Sequence, residues 1–456
     1  MRKITSSLIL AIIVIGLVLS SHSIYANPLE ENFIRIRLTS PIKSNGIVNL
    51  YSDEGFYIYS KANLIQEIES IDIENIKVSI GEEERLYIMD VDDNLLYAYN
   101  QEDDLIISSK GGYEKKVRVE DKNYRDYINF KIMGANLIVI NYVDIDNYLY
   151  GVVPKEMPVS FEMEALKAQA IAARTYALKN MNKHNNECYD LCDTTHCQVY
   201  GGMDGEDEKT NRAVDGTSGM IITYNGNIID ALYHSNSGGV TEDSLEAWGN
   251  SHPYLISVED EFSINAPNGS WSLNLNADEI SKSLKNKGVN IGNVIDMEVL
   301  GNSSSGRVTQ LKLIGTLGEK ILNKGQIREF LGLTEVKSNL FTIKKSSNDA
   351  TSTNLYAIDG NSSKPQLIDL ETSHIIDGST KQRPSRGLTS RFINRDGVVD
   401  KIDGGNTGIT NFIIEGKGYG HGVGMSQWGA QKMAESGYTF EDILKHYYNG
   451  VEIIKD

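Results

Sequence analysis

The sequence predicts an α+β protein, with a β-rich N-terminal region and a mixed α/β core interrupted by a long polar insertion. Three observations carry this reading. Residues from Asn32 to about Ile140 repeat short β-branched and aromatic runs. A long helical pattern follows at Phe161–Asn180. Residues 344–408 are dominated by Ser, Asn, Asp, Gly and Lys and hold few long apolar runs. A chain of 456 residues has room for about two or three domains.

In chain order, Arg2 and Lys3 precede an apolar run from Leu8 to Leu19. Ser20, Ser21, Ser23 and Ala26 come next, ahead of Asn27 and Pro28. This is the charged, apolar, small-residue order of a secretory signal. The run is shorter than the about 20 residues of a membrane span. Cleavage after Ala26 is therefore the first reading, and retention as a membrane anchor the second. Both place the residues that follow outside the cytoplasm.

Residues 27–120 read as a β-rich domain, with strands at Ile34–Leu38, Gly55–Tyr59 and Leu86–Met89 and turns such as Ser44–Gly46. The core, 121–343, opens with a strand at Leu137–Ile140. In Phe161–Asn180, Leu166, Ala170, Ala173 and Ala177 fall on one helical stripe, with Ser160 as the expected N-cap. Strands return at Gly219–Tyr224 and Ile228–Tyr233. A helix near Ala277–Lys287, strands near 295–316 and a helix near Lys324–Leu331 complete this part. The insertion, 344–408, reads as a mobile linker with a hairpin near Leu355–Ile376. The C-terminal part, 409–456, begins with a strand at Asn411–Glu415 and continues through a glycine-rich loop to a helix from Ser426.

The formal charge of −18 argues against nucleic acid, whose binding requires Lys and Arg to neutralise phosphates. It also argues against attachment to a membrane surface by basic charge. A neutral polysaccharide is compatible with it, and so is simple solubility.

Four constellations carry candidate chemistry. In Gly151–Pro158, two prolines bracket Glu156 just before the long helix and restrict the backbone around it. A rigidly held carboxylate suits general acid/base work, and the apolar neighbours Val153 and Met157 would favour its protonated form. The second is His184, Cys188, Cys192, His196 and Cys197, five soft donors in a short window. The chain has no other cysteine, so no thiol is left to staple distant parts of the fold. The cluster points to a closed structural zinc site. His184, Cys192, His196 and Cys197 form the chosen ligand set. Cys188 competes with His184, and a disulfide between two of the cysteines is the alternative. The third is the loop Gly416–Gly429. It lacks the Gly-Lys-Ser/Thr ending of a P-loop. It reads either as a surface that lets a glycan approach the backbone, with His421, Gln427 and Trp428 in contact, or as a tightly packed turn. The fourth is His234–Gly239, with Trp248 and Gly249 following. It lacks the Gly-x-Ser-x-Gly of a nucleophile elbow, so His234 and Ser235 read as cleft-lining residues.

Taken together, several segments resemble the SpoIID/LytB family. They are Val153–Pro158, Glu164–Ala170, Ala172–Tyr176, Asp193–Tyr200, Tyr233–Gly239, Asn339–Ile343 and Gly420–Gln427. The resemblance implies a lytic transglycosylase acting on peptidoglycan glycan strands already stripped of stem peptides, as in sporulation and engulfment. It implies Glu156 as catalytic acid/base and Arg174 as a residue positioning the sugar. His234, Ser235, His421 and Gln427 are the further substrate-binding candidates. The His196–Gln198 motif resembles a zinc-binding form of the family. An amidase and a membrane protein are the implied partners. No second catalytic carboxylate stands out. One carboxyl suffices if the substrate's own hydroxyl replaces water, unlike the two-carboxylate hydrolases. The rival readings are a non-catalytic glycan-binding amidase enhancer and a zinc hydrolase, the latter requiring an open coordination position.

Overall fold

Strand Phe33–Leu38 buries every second residue. Ile34, Ile36 and Leu38 are fully enclosed, as the two-residue period of a strand requires. In the computed structural model this strand pairs antiparallel with Asn136–Asp144, Ile34 opposite Val143. The structure describes residues 32–39, 46–61, 63–111, 116–347 and 409–455, together with six short strands between 355 and 402. The signal-like segment lies outside the described residues. Among the described residues, no helix is long and apolar enough to cross a membrane.

The chain divides into two units, one of residues 1–160 and 169–220, the other of 161–168 and 221–454. The first holds a seven-stranded sheet, in which Phe33–Leu38, Phe56–Ser60 and Leu105–Ser109 join Tyr127–Met133 and Asn136–Asp144. A six-stranded sheet accompanies it. The expected boundary near residue 120 therefore cuts through one hydrogen-bonded sheet. Periodicity identifies strands but not their partners, and these pairings span about a hundred residues of sequence.

Helix α1, Ile145–Glu156, follows directly on strand Asn136–Asp144. Asp144 caps it by accepting from the amides of Asp146 and Asn147. The helix runs through Pro154 and ends at Glu156, and the Met157 amide donates to the Val153 carbonyl. The sequence expectation placed Glu156 before the first long helix. It does precede the long helix, and it also ends a shorter helix not foreseen, which Pro154 does not break because a proline near the last turn costs less than one in mid-helix. Helix α2 spans Met163–Lys179, so Ser160 stands too far ahead to be its N-cap. The Glu162 amide instead donates to the Gln431 side chain.

The second unit holds the sheet Ser270–Asn276, Ile409–Lys417, Phe341–Ser347, with Ile409–Lys417 central. Leu275, Phe412 and Ile414 pack with Leu284 of helix Ala277–Asn286 and Ile327 of helix Lys324–Leu331. Asn276 and Asn323 cap these two helices. The meander Val294–Asn302, Val308–Gly315, Gly318–Asn323 adds Met297, Leu311 and Leu322 to the same core. Within the insertion three antiparallel ladders form: Leu355–Ala357 with Gln366–Ile368, Ile375–Asp377 with Thr380–Gln382, and Ser390–Ile393 with Val399–Ile402. The first matches the expected hairpin; the other two were not foreseen. After helix Gln427–Glu435 comes a second, Phe440–Tyr447, opened by a Thr439/Asp442 capping box.

Candidate functional site

Glu156 is half-buried at the last position of α1, between the buried Val153 and Met157. The helix rests on a buried polar frame. Tyr148 is fully enclosed and donates from its hydroxyl to Gln198 Oε1 at 2.9 Å. Tyr200 packs against the Tyr148 ring, centroids 5.0 Å apart, and donates to Asn141 Oδ1 at 2.8 Å. Gly151 fits beneath the Tyr200 ring, where a Cβ would approach to 2.5 Å. Burial, then Tyr200, then the Glu156 charge hold the Tyr148 phenol well above its ordinary pKa, so it stays a hydrogen-bond donor. Sequence reasoning missed Tyr148 and Asn141. It quoted Gln198 and Tyr200 without a role.

Arg174 departs from expectation. Its side chain is 1% exposed. Its guanidinium contacts Asp146 at 2.8 and 3.1 Å and donates to the carbonyls of Thr217, Met220 and Val214. With both terminal nitrogens and Nε engaged inside the protein, Arg174 braces α1 and has no donor left to reach a sugar directly.

The donor cluster of the Cys/His window is assembled. His184, His196 and Cys197 bring their ligand atoms within 4.8 Å of one another. His184 Nε2 lies 3.3 Å from Cys197 Sγ, and His196 Nδ1 lies 3.4 Å from Cys197 Sγ and 3.8 Å from Cys192 Sγ. Tetrahedral zinc with Zn–S of about 2.3 Å and Zn–N of about 2.0–2.1 Å has ligand–ligand edges of about 3.3–3.8 Å. The spacing fits. His184 Nδ1 faces the Glu187 carboxylate at 3.2 Å. Donation there leaves Nε2 as a bare lone pair toward the cluster, the outer-shell arrangement common to metal-bound histidines. Glu187 also accepts from Tyr189, whose ring stacks on His184. The loop is anchored because Leu191–Cys192 pairs in parallel with Ile36–Arg37. Cys188 takes a left-handed conformation, φ 69°, and faces a separate cavity with Arg35 and Asn185. All three cysteines are free thiols.

In the second unit, Tyr233–His234 pairs in parallel with Met425–Ser426. Asn236 and Tyr419 exchange backbone hydrogen bonds at 3.1 and 2.7 Å. The two glycine-rich motifs thus dock on each other. A Cβ at Gly424 would meet the Leu232 carbonyl at 2.0 Å, and one at Gly422 would meet the Arg307 guanidinium at 2.4 Å. These glycines serve protein packing, and the tight-turn reading accounts for them. His234 is buried. Its Nδ1 donates to the Val423 carbonyl at 3.0 Å, while Nε2 has no partner among the described residues. His421 accepts the Val423 amide at 3.1 Å, and its ring lies 5.5 Å from that of His234 and 5.4 Å from Trp248. Crowding by the protein, then nearby cationic Arg307, holds His421 down at about 4, although an edge of the ring stays open to solvent. Burial, with His421 and Arg307, also holds His234 well below the ordinary range. Both rings are neutral at pH 7. Ser235 is half-buried and gives its carbonyl to the Trp428 amide. Gln427 opens the following helix and is buried.

Residues 133–224 match the family described as Stage II sporulation protein. Residues 255–362 match a domain of unknown function, DUF8618. The chain is 32% identical to the Amidase enhancer of Bacillus subtilis over 311 residues, 67% of this chain but 40% of that protein. It is 29% identical over 434 residues, 95% of each, to an uncharacterized protein of Brachyspira hyodysenteriae. It is also 29% identical over 331 residues to Stage II sporulation protein D of Bacillus amyloliquefaciens, 68% of this chain and 74% of that protein.

Proposed function

From the premise that this chain belongs to the SpoIID family, we propose that it is an exported peptidoglycan lytic transglycosylase acting in sporulation. It cleaves the bond between MurNAc and GlcNAc in strands stripped of stem peptides. The observation that carries this reading is the placement of Glu156: a half-exposed carboxyl ending a helix that is braced by Arg174 and seated on Tyr148 and Tyr200.

Glu156 gives its proton to the glycosidic oxygen, and the bond from that oxygen to the anomeric carbon of MurNAc breaks. The 6-hydroxyl of the same MurNAc then bonds to that carbon and returns its proton to the Glu156 carboxylate. The product ends in 1,6-anhydroMurNAc, and no water is consumed. His184, Cys192, His196 and Cys197 would hold zinc. With Cys192 drawn in as the fourth ligand no position would be vacant, and the metal's contribution would be to the fold of the loop carrying Gln198 and Tyr200. His234, Ser235, His421 and Gln427 are the proposed glycan contacts of the second unit. An amidase that strips the stem peptides and a membrane protein are the proposed partners.

Digestion of purified strands in heavy-oxygen water tests the reading. Anhydro ends without solvent oxygen support it; reducing MurNAc ends carrying solvent oxygen overturn it. The likeness to an Amidase enhancer favours one second reading, a glycan-binding protein that stimulates an amidase without cutting glycan. Stimulation of amidase by the Glu156→Gln protein, with no cleavage by the wild type, would select it.

A further inference from the structure

Strand register gathers a polar cluster on one face of the seven-stranded sheet of the first unit. Arg35 stands opposite Tyr142, and Asn129 opposite Ile140. Opposed residues of an antiparallel pair share a face, and so do residues two apart on one strand. Arg35, Tyr142, Ile140, Asn129 and Lys131 therefore face the same way. Side-chain contacts bring Asp104 and Lys61 onto this face. The Asp104 carboxylate accepts from the Asn129 amide at 3.3 Å and meets the Lys131 ammonium at 2.7 Å. Lys61 reaches the same carboxylate at 3.4 Å, and its ammonium lies over the Tyr142 ring, 5.3 Å from the centroid. The Lys61 charge thus ends beside the residue that pairs with Arg35. These side chains line a cavity of about 210 Å3, and Asn185 and Cys188 complete its wall.

The charges around the cavity do not cancel. Lys61 and Lys131 share the carboxylate of Asp104, and Arg35 is matched by Asp190 at 2.7 Å. Three cations thus meet two carboxylates, an excess of one positive charge in a chain of formal charge −18. Hydrogen-bond donors are in excess as well. An ammonium carries three N–H donors, and Lys61 has Asp104 as its one side-chain acceptor among the described residues. Arg35 directs Nε and Nη2 to Asp190, Asn182 and Asn185, while its Nη1 has no acceptor among the described residues. The floor between these cations is apolar, because Tyr142 and Ile140 are buried in the sheet. The volume lies below the about 300–1,000 Å3 of drug-sized sites. One net charge, unused donors, an apolar floor and a small volume together suit a small organic anion of single charge.

The geometry points to a binding site for a small organic monocarboxylate, of the size of propionate. Lys61 and Arg35 take its carboxylate, and its carbon chain lies on Tyr142 and Ile140. The site is contained in the first unit and does not depend on the reaction at Glu156.

The test uses the full-length protein and isothermal titration calorimetry with propionate, propionamide and chloride. Propionate is expected to bind at least about tenfold more tightly than propionamide, because only the ion makes charge-assisted hydrogen bonds. Lys61→Gln should lower propionate affinity about tenfold, and Lys61→Arg should restore it. Equal affinity for propionate and propionamide, or an unchanged propionate affinity in Lys61→Gln, overturns the site. Chloride binding as tight as that of propionate overturns the organic assignment. Cys188 supplies a second readout that needs no variant. Iodoacetate and iodoacetamide both alkylate a thiolate with loss of iodide, and they differ chiefly in charge. Residue-resolved mass spectrometry should show iodoacetate favoured at Cys188 in the native protein, by about tenfold over the ratio found in the urea-unfolded chain. Propionate should slow that reaction, and propionamide should not. A native ratio equal to that of the unfolded chain overturns the placement of the carboxylate in this cavity.

Discussion

Arg174 Nη2 and Asp146 Oδ1 meet at 2.8 Å, with the arginine buried and the carboxylate partly open to solvent. This pair fixes the first turn of α1, and Glu156 is the last residue of the same helix. A side chain with the look of a sugar ligand is thus a brace, acting on the candidate catalytic group through about three turns of helix.

Arg174→Met should lower stability by about 3 kcal/mol, since it leaves Asp146 without its cation and the Thr217, Met220 and Val214 carbonyls without their donor. Urea denaturation measures this. The variant that remains folded should bind glycan with nearly unchanged affinity. A large loss of affinity at unchanged stability would return Arg174 to the substrate.

Glu156→Gln should abolish cleavage while leaving the unfolding midpoint within about 0.5 kcal/mol of wild type, because the amide keeps the size of a half-exposed side chain but cannot deliver the proton. End-group mass spectrometry of digested strands reads the first quantity and urea titration the second. Turnover within tenfold of wild type would move the chemistry to another residue.

Cys197→Ser should reduce metal content from about one zinc per chain to a small fraction and lower the melting temperature, since a closed site contributes folding free energy. Chelation of the wild type should reproduce the thermal shift. A protein purified without metal and carrying a Cys192–Cys197 disulfide would overturn the proposed zinc site.

Stability should fall on acidification through the window set by two imidazoles, the buried His234 and the more open His421. His421 is held at about 4 and His234 is also lowered, against about 6.5 in an unfolded chain. Between these values the unfolded state binds more protons than the folded one, so stability rises with pH. The melting temperature should therefore climb from about pH 4 to about pH 6.5 and then level. Replacing His234 by Asn should lower the melting temperature at pH 7 and flatten its rise with pH. An equally steep rise in that variant would assign the effect to other groups.

Ser347 and Ile409 stand opposite each other in the ladder formed by Phe341–Ser347 and Ile409–Lys417. The insertion thus leaves and re-enters at neighbouring positions. Replacing residues 348–408 with an Asn-Gly turn should close a hairpin and preserve folding, as read by circular dichroism and by glycan cleavage. Failure to fold would show that the inserted ladders support the second unit.

The sequence by itself determined the elements whose signals are local. The alternation of Ile34, Ile36 and Leu38, the stripe of α2 and the helices near Ala277–Lys287 and Lys324–Leu331 are visible within a few residues, because side-chain period acts at short range. The zinc-ligand candidates were legible for the same reason, all within one short loop. Only the tertiary structure decided the rest. It joined strands Phe33–Leu38, Phe56–Ser60 and Leu105–Ser109 with Tyr127–Met133 and Asn136–Asp144 in one sheet, placed Glu156 at the end of a helix of its own ahead of the long one, and enclosed Arg174 with Asp146. It also showed that the glycines of the 416–429 loop fit against Leu232 and Arg307. Each of these depends on what a residue meets from a distant part of the chain. Strand partners, buried ion pairs and close backbone approaches are properties of the packed molecule, and residue type and spacing do not encode them.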